Sequence, residues 1–269
     1  MELKIFDVSL SFCAYLIADN GNVMLFDCGH NEQTGFRPSI YLPRAGCRAI
    51  EHLIIHNFDE DHVSDLDNLL CVLPVRVFFR NRSIPPDSLK FMKRLAGPLT
   101  PAMSAAIGLH SEYVHEVAAP PEFPGIEFRC FCNDYPIFQD TNNLSIVSFV
   151  HYDGMGIIFP GNLERAGWRE LLKNPDFRAH LNRVNIFVAS HHGRESGYCE
   201  EVFNYCWPEI IIISDKEIVH ETQKQQYAKH ASGIPWNGGS EKRYVLTTRS
   251  DGMITITKSM GKGGHISTT

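Results

Sequence analysis

Between Leu53 and Asp65 the chain reads LIIHNFDEDHVSD: an apolar run stops in carboxylates and histidines, and a helical pattern begins directly afterwards. No other stretch constrains the fold as much, because strand, donor-rich loop and helix in that order are an α/β unit. Side chains clustered at the carboxyl end of a strand stand where α/β folds place their sites. His56, Asn57, Asp59, Asp61 and His62 crowd this loop, and imidazole with carboxylate is a donor set for zinc, manganese or iron. Asn57 is the anomaly, since an amide oxygen is a poor ligand for such ions.

The flanking patterns predict one α/β domain. Lys4–Val8, Phe12–Ala18 and Val23–Phe26 alternate or run apolar, with DNGN as a turn between the last two, which reads as a β meander. Asp27-Cys28-Gly29-His30 breaks the meander and falls at the same sheet edge as the donor loop, and Pro38–Leu42 reads as a short helix. Val63, Leu66, Leu69, Leu70 and Leu73 recur at helical spacing until Pro74, before the strand VRVFF. Helical patterns follow over 86–97 and 100–119. PPEFPG at 120–125 then divides the chain into half-units of about 1–119 and 120–257, both strand-first.

In the second half Ile126–Cys132, Leu144–His151 and Met155–Phe159 read as strands, and Gly161–Glu164 opens a helix to Leu172. Val184–Ala189 is a buried strand ending in Ser190-His191-His192-Gly193. Glu200–Cys206 reads as a helix and Glu209–Ile213 as a strand ending in Ser214-Asp215. Tyr244–Thr248 and Met253–Thr257 close the domain, and the Gly-rich stretch 258–269 is expected to be a flexible tail.

Composition narrows the function classes. Hydrophobic residues make up 43%, yet no apolar run reaches the roughly 18 residues of a membrane helix. The amino terminus has no basic-apolar-small cleavage pattern, so the chain reads as a cytoplasmic protein without a membrane partner. Eight scattered cysteines argue against a disulfide framework. Cys130 and Cys132 share a strand face and read as small buried hydrophobes rather than a metal pair. A net charge of -6 weighs against a surface built to grip duplex nucleic acid, although a metal can supply positive charge at a reacting phosphate. Arg76, Arg80, Arg82, Lys90, Lys93 and Arg94 read as a solvated basic face.

FDEDH after an apolar strand, NNLSIVSFVHYDGMGIIFPGNLE, VASHHGRES and RYVLTTRSDGMITI occur in that order. Together they resemble the metallo-β-lactamase fold hydrolases, in particular the soluble hydrolase part of the DNA-uptake protein ComEC and its stand-alone relatives. The resemblance implies an αββα sandwich with a metal site between the sheet edges. It also implies hydrolysis of phosphodiesters or similar esters, with nucleic acid the leading substrate class.

The family's first loop reads H-x-H-x-D-H or H-x-D-x-D-H, which lays Asn57, Asp59, Asp61 and His62 on its four positions. The family's bridging Asp falls on Asn162, and its late His on His191 or His192. Two metals held about 3.5 to 4 Å apart need an anionic bridge, which Asn162 is not. The resemblance therefore implies a lopsided centre: one tight divalent ion, manganese or zinc before magnesium, on Asp61, His62 and His191 or His192, and a doubtful second site. Asp59 is the expected base or orienter of water and a second-site ligand, and Asp61 the metal carboxylate. His220 is expected near the leaving oxygen or on a loose second ion.

Strand alternation argues against His56 replacing Asn57. His30 and His151 are weaker candidates for a displaced ligand. The stretch 85–119 is the least family-like and reads as a cap or as a surface for a protein partner. The rival readings are a non-catalytic binding or scaffold protein on the same fold and a hydrolase of a small ester, lactone or thioester. Gly-rich nucleotide loops and a G-x-S-x-G elbow are absent.

Overall fold

The computed structural model describes residues 1–216, 222–236 and 239–269. The first apolar runs become β1 (Glu2–Ile5), β2 (Ala14–Ile17) and β3 (Val23–Phe26), an antiparallel meander as expected. Then come α1 (Pro38–Arg44), β4 (Ile50–Ile54), α2 (Glu60–Val63), α3 (Leu66–Val72), β5 (Val75–Phe79), α4 (Pro86–Ala96) and α5 (Pro101–Glu112). The second half adds β6 (Ile126–Cys132), β7 (Ile146–Tyr152), β8 (Met155–Phe159), α6 (Arg165–Leu171), α7 (Pro175–Leu181), β9 (Ile186–Val188) and β10 (Ile210–Ile213). It ends with α8 (Lys224–Ala228), β11 (Ile234–Pro235), β12 (Lys242–Arg243), β13 (Val245–Thr247), α9 (Thr248–Asp251), β14 (Ile254–Thr257) and β15 (His265–Thr268).

Two large sheets result, ordered β15-β14-β1-β2-β3-β4-β5 and β13-β10-β9-β8-β7-β6. The alternation of side chains explains why they stack. Leu3, Ile5, Leu16, Met24 and Phe26 of the first sheet pack against Ile146, Val150, Ile157, Phe159 and Ile212 of the second in one buried cluster. The opposite faces are covered by helices. Tyr15, Val23 and Leu25 pack with Leu42, Leu66, Leu69, Leu89 and Ala106, while Phe149, Ile158 and Phe187 pack with Trp168, Phe177 and Leu181. This is the αββα arrangement, and it explains the near-continuous apolar character of β7 and β8, which are buried on both faces.

Three expectations need correction. The stretch 258–269 is not a free tail: β15 pairs antiparallel with β14, Ile256 opposite Ile266. The division into half-units is also not clean, because β14 belongs to the second half of the chain yet pairs with β1 in the first sheet. The basic run is not one solvated face. Arg80 is buried and donates to His110 Nδ1 at 3.1 Å and to the carbonyl of Tyr113 at 2.6 Å, and Lys93 turns into the candidate site.

The single helix expected after His62 is broken in two around Asp65. That carboxylate accepts from the Ser39 amide at 2.8 Å and from Arg37 at 3.0 Å, fastening α1 to the loop. Helix α7 was not anticipated, although Asn174 caps it and Pro175 starts it, a common N-terminal pair. All eight cysteines are free. Among the described residues no helix is long and apolar enough to cross a membrane.

Candidate metal centre

The centre forms where β3 and β4 of one sheet and β8, β9 and β10 of the other come to their carboxyl ends. After β3, Asp27 turns in the left-handed region (φ 57), and its amide donates to the Ile54 carbonyl at 2.8 Å. That turn sends its fully buried carboxylate under the donor loop. Asp27 Oδ2 accepts from Nδ1 of His56 and of His62, both at 2.8 Å, and Oδ1 accepts from the His56 amide at 2.7 Å. Burial alone would raise the Asp27 carboxyl, but His56 and His62 hold it below its ordinary value.

The donor loop is stitched to the strand end behind it. The Phe12 amide donates to the Asp61 carbonyl at 3.0 Å and the Cys28 amide to the His62 carbonyl at 2.9 Å. Gly29 is required by close approach: a Cβ there would stand 2.4 Å from the Asp61 carbonyl oxygen and 2.5 Å from Ser11 Cβ.

Hydrogen bonds then fix which imidazole nitrogens are bare. A carboxylate only accepts, so His62 carries its proton on Nδ1, and its buried Nε2 has no partner among the described residues. His192 Nδ1 lies 2.9 Å from the Ser214 carbonyl, which likewise only accepts, leaving Nε2 as a lone pair 3.0 Å from Asp61 Oδ2. His62 Nε2 is 3.6 Å from that same oxygen. Three electron-pair donors thus converge, all within 4.8 Å of one another, and lone pairs facing each other demand a cation between them.

A proton on His62 Nε2 can serve as that cation, and a divalent ion would displace it. Burial would depress His62, yet the carboxylates of Asp27 and Asp61 drive it up to about 10. Burial would raise Asp61, yet His62, His192 and Asn162 hold it well below the carboxylate range. Two imidazoles with outer partners on their far nitrogens and one carboxylate fit a divalent ion. Asn162 Nδ2 lies 3.4 Å from Asp61 Oδ2, and its buried Oδ1 has no partner among the described residues.

His192, not His191, completes the group. Both residues adopt left-handed backbone (φ 56 and 50), a conformation non-glycine residues rarely take, and their rings diverge. His191 turns to Ser196 Oγ at 2.9 Å, Arg194 at 3.1 Å and Glu164 at 3.3 Å. Asp59 also departs from the expected set. Its Oδ1 is ion-paired to Lys93 and accepts from Thr141 Oγ1 at 2.9 Å, while Oδ2 accepts from Asn57 Nδ2 at 3.0 Å. Asn57 therefore serves Asp59 rather than an ion, and gives its other amide hydrogen to Asn142 at 3.0 Å.

The remaining histidines lie elsewhere. His56 spans from Asp27 to Ser148 Oγ at 2.8 Å and ties one sheet to the other. His30 pairs with Ser64 Oγ at 2.7 Å, beside a cleft of about 350 Å³ that opens onto Asp61 between Ser9, Gln33 and Lys216. His151 contacts His180 at 3.1 Å. His220 falls outside the described residues.

Sequence reasoning placed Asp27 at the right edge but missed its grip on two imidazoles; an Asp directly after an apolar strand was the available signal. Lys93 and the Ser214 carbonyl left no such signal, because tertiary packing brings them in. Asp215 was also missed. Buried beside the Ser214 carbonyl, its carboxylate accepts no hydrogen bond among the described residues, with Arg249 Nη2 3.3 Å from Oδ2, and burial raises it.

No protein-family model matches the chain. The chain is similar to ComE operon protein 3 of Bacillus subtilis (strain 168). The two are 23% identical over 213 residues, which is 76% of this chain, and the chain spans about a quarter (26%) of that relative's length. Among solved structures it is similar to a diphosphatase from the PhnP family (9% identity, 96% of this chain and 98% of that one, TM-score 0.48). It is also similar to a Thermotoga maritima protein proposed to be a Zn-dependent hydrolase of the metallo-β-lactamase superfamily (9% identity, 91% and 98%, TM-score 0.43).

Proposed function

We propose that the chain is a metal-dependent hydrolase of phosphodiester bonds, with nucleic acid as its substrate class and zinc or manganese as its ion. The observation that carries this reading is the convergence of two bare imidazole nitrogens and a carboxylate oxygen, each imidazole locked by an acceptor behind it. A divalent ion on Asp61, His62 and His192 supplies an acidified water and a Lewis acid for a phosphoryl oxygen.

The chain's own residues hold this geometry. Asp27 and the Ser214 carbonyl fix the two tautomers, Asn162 donates to Asp61, and the Asp61 side chain stays 29% exposed and so reachable from the cleft. Asp59, with both oxygens engaged, positions Lys93 instead of taking a proton from water. The ordered motifs of the sequence and the similarity to ComE operon protein 3 support the hydrolase class. Free cysteines throughout fit a reducing, cytoplasmic setting.

The test is hydrolysis of bis-p-nitrophenyl phosphate, single-stranded DNA and RNA by metal-stripped protein given manganese, zinc or magnesium, with a lactone and a thioester alongside. Metal-restored cleavage that disappears in Asp61→Ala is the expected result. Activity unchanged in that variant sinks the assignment, and absence of both metal binding and metal-induced stabilisation favours a scaffold.

A further inference from the structure

We infer that Lys93 is this chain's built-in second cation, so that the centre takes one divalent ion and the Lys93 ammonium binds an anionic oxygen of the substrate beside it. The inference rests on the hydrolase reading above and names a residue which that reading does not need.

Three donors converge on Asp59: the Lys93 ammonium and Thr141 Oγ1 on one oxygen, and the Asn57 amide on the other. The carboxylate is therefore neutralised by the protein. Asn57 turns N–H groups toward Asp59 and Asn142, and its carbonyl is not aimed at that carboxylate. A second divalent ion there would meet a fixed positive charge and no free carboxylate. Two residues along the same loop, Asp61 faces the metal group, so one loop presents both the carboxylate paired to the ammonium and the carboxylate for the ion.

Lysine has three N–H donors. Nζ uses one on Asp59 and one on Thr141 at 3.2 Å, and among the described residues no acceptor takes the third. The pair also borders solvent: the Lys93 side chain is 12% exposed and that of Asp59 30%. A fixed, largely buried ammonium with one open donor is a ready partner for a phosphoryl oxygen. The plainer alternative is an ion pair that only pins α4 to the loop.

The test uses the intact chain. Zinc stoichiometry is measured by competition with a chromophoric chelator, and inorganic phosphate binding to zinc-loaded protein by calorimetry, for wild type, Lys93→Met, Lys93→Arg and Lys93→Gln. Melting curves show whether each variant folds. The expected result is one zinc per wild-type chain, phosphate binding roughly tenfold or more weaker in Lys93→Met, and most of it restored in Lys93→Arg. Two tight zinc ions in wild type overturn the inference. So does phosphate binding unchanged in a folded Lys93→Met that still holds one zinc, and that outcome leaves the hydrolase reading standing. Binding of neither zinc nor manganese, the latter measured in the same competition, sinks both. If Lys93→Met does not fold, Lys93→Gln decides: it keeps a hydrogen-bond donor for Asp59 without the charge, so a mere ion pair predicts phosphate binding equal to wild type and a substrate contact predicts the roughly tenfold loss.

Discussion

Asp27 Oδ2 accepts the Nδ1–H of His62 across 2.8 Å, so a buried carboxylate with no part in the ligand group decides which nitrogen of His62 faces Asp61. Asp27→Asn removes the charge and offers an amide that is both donor and acceptor. Zinc affinity is expected to fall about 10- to 100-fold, as for other outer partners of metal-bound histidine. Chelator competition measures it, and an unchanged affinity would remove Asp27 from the centre.

His191 and His192 are neighbours in sequence with opposite surroundings. Alanine at His192 takes away one of three ligands and should abolish stoichiometric zinc binding. Alanine at His191 leaves the ligand group intact and should bind zinc within a few-fold of wild type. Equal losses in both variants would mean that the rings exchange places.

Gly29 has no room for a side chain. In Gly29→Ala the new methyl meets the Asp61 carbonyl oxygen at 2.4 Å and Ser11 Cβ at 2.5 Å, so the loop must move. Overpacking of this kind costs about 1 to 3 kcal/mol. Both a lower urea midpoint and weaker zinc binding are expected, whereas a loss of stability alone would show that Asp61 is held from elsewhere.

Acid should weaken the fold through His52. Its ring packs on Phe79 and Phe123 at 4.8 and 4.6 Å, its Nδ1 has no partner among the described residues, and burial depresses it to about 4. The folded pKa lies below the unfolded one, so the unfolded chain takes up a proton that the folded chain refuses. This contribution is full above about pH 6.5 and drains away as the pH falls toward 4. Between pH 7 and 5 it amounts to roughly 2 kcal/mol. His151, also depressed to about 4 by burial, adds to the effect. Urea unfolding at both pH values should show His52→Phe losing less stability on acidification than wild type; an equal loss would place the acid sensitivity elsewhere.

What the sequence made legible is what depends on local pattern. The meander, the donor loop and the SHHG turn could be read because apolar runs and their interruptions mark strands and strand ends. The choice between His191 and His192 could not be read, since two left-handed residues in a row break the alternation by which strand neighbours are sorted. Lys93 looked like a solvated charge because its pattern on α4 is that of a surface helix, and only the docking of α4 over the loop turns it inward. The tail was misjudged for a related reason. Glycine-rich composition signals freedom, but an open edge at β14 offers a row of unpaired backbone groups, and β15 takes them.

The register that sets Glu2 opposite Thr257 also has a kinetic meaning. On one flank β1 pairs with β2, its neighbour in sequence, whereas on the other it waits for the far more distant β14. Contacts so distant in sequence form late and slow the search for the native state. Until β14 docks, the sheet that presents Asp61 and His62 carries an unprotected seam, an open strand edge on which another chain could pair.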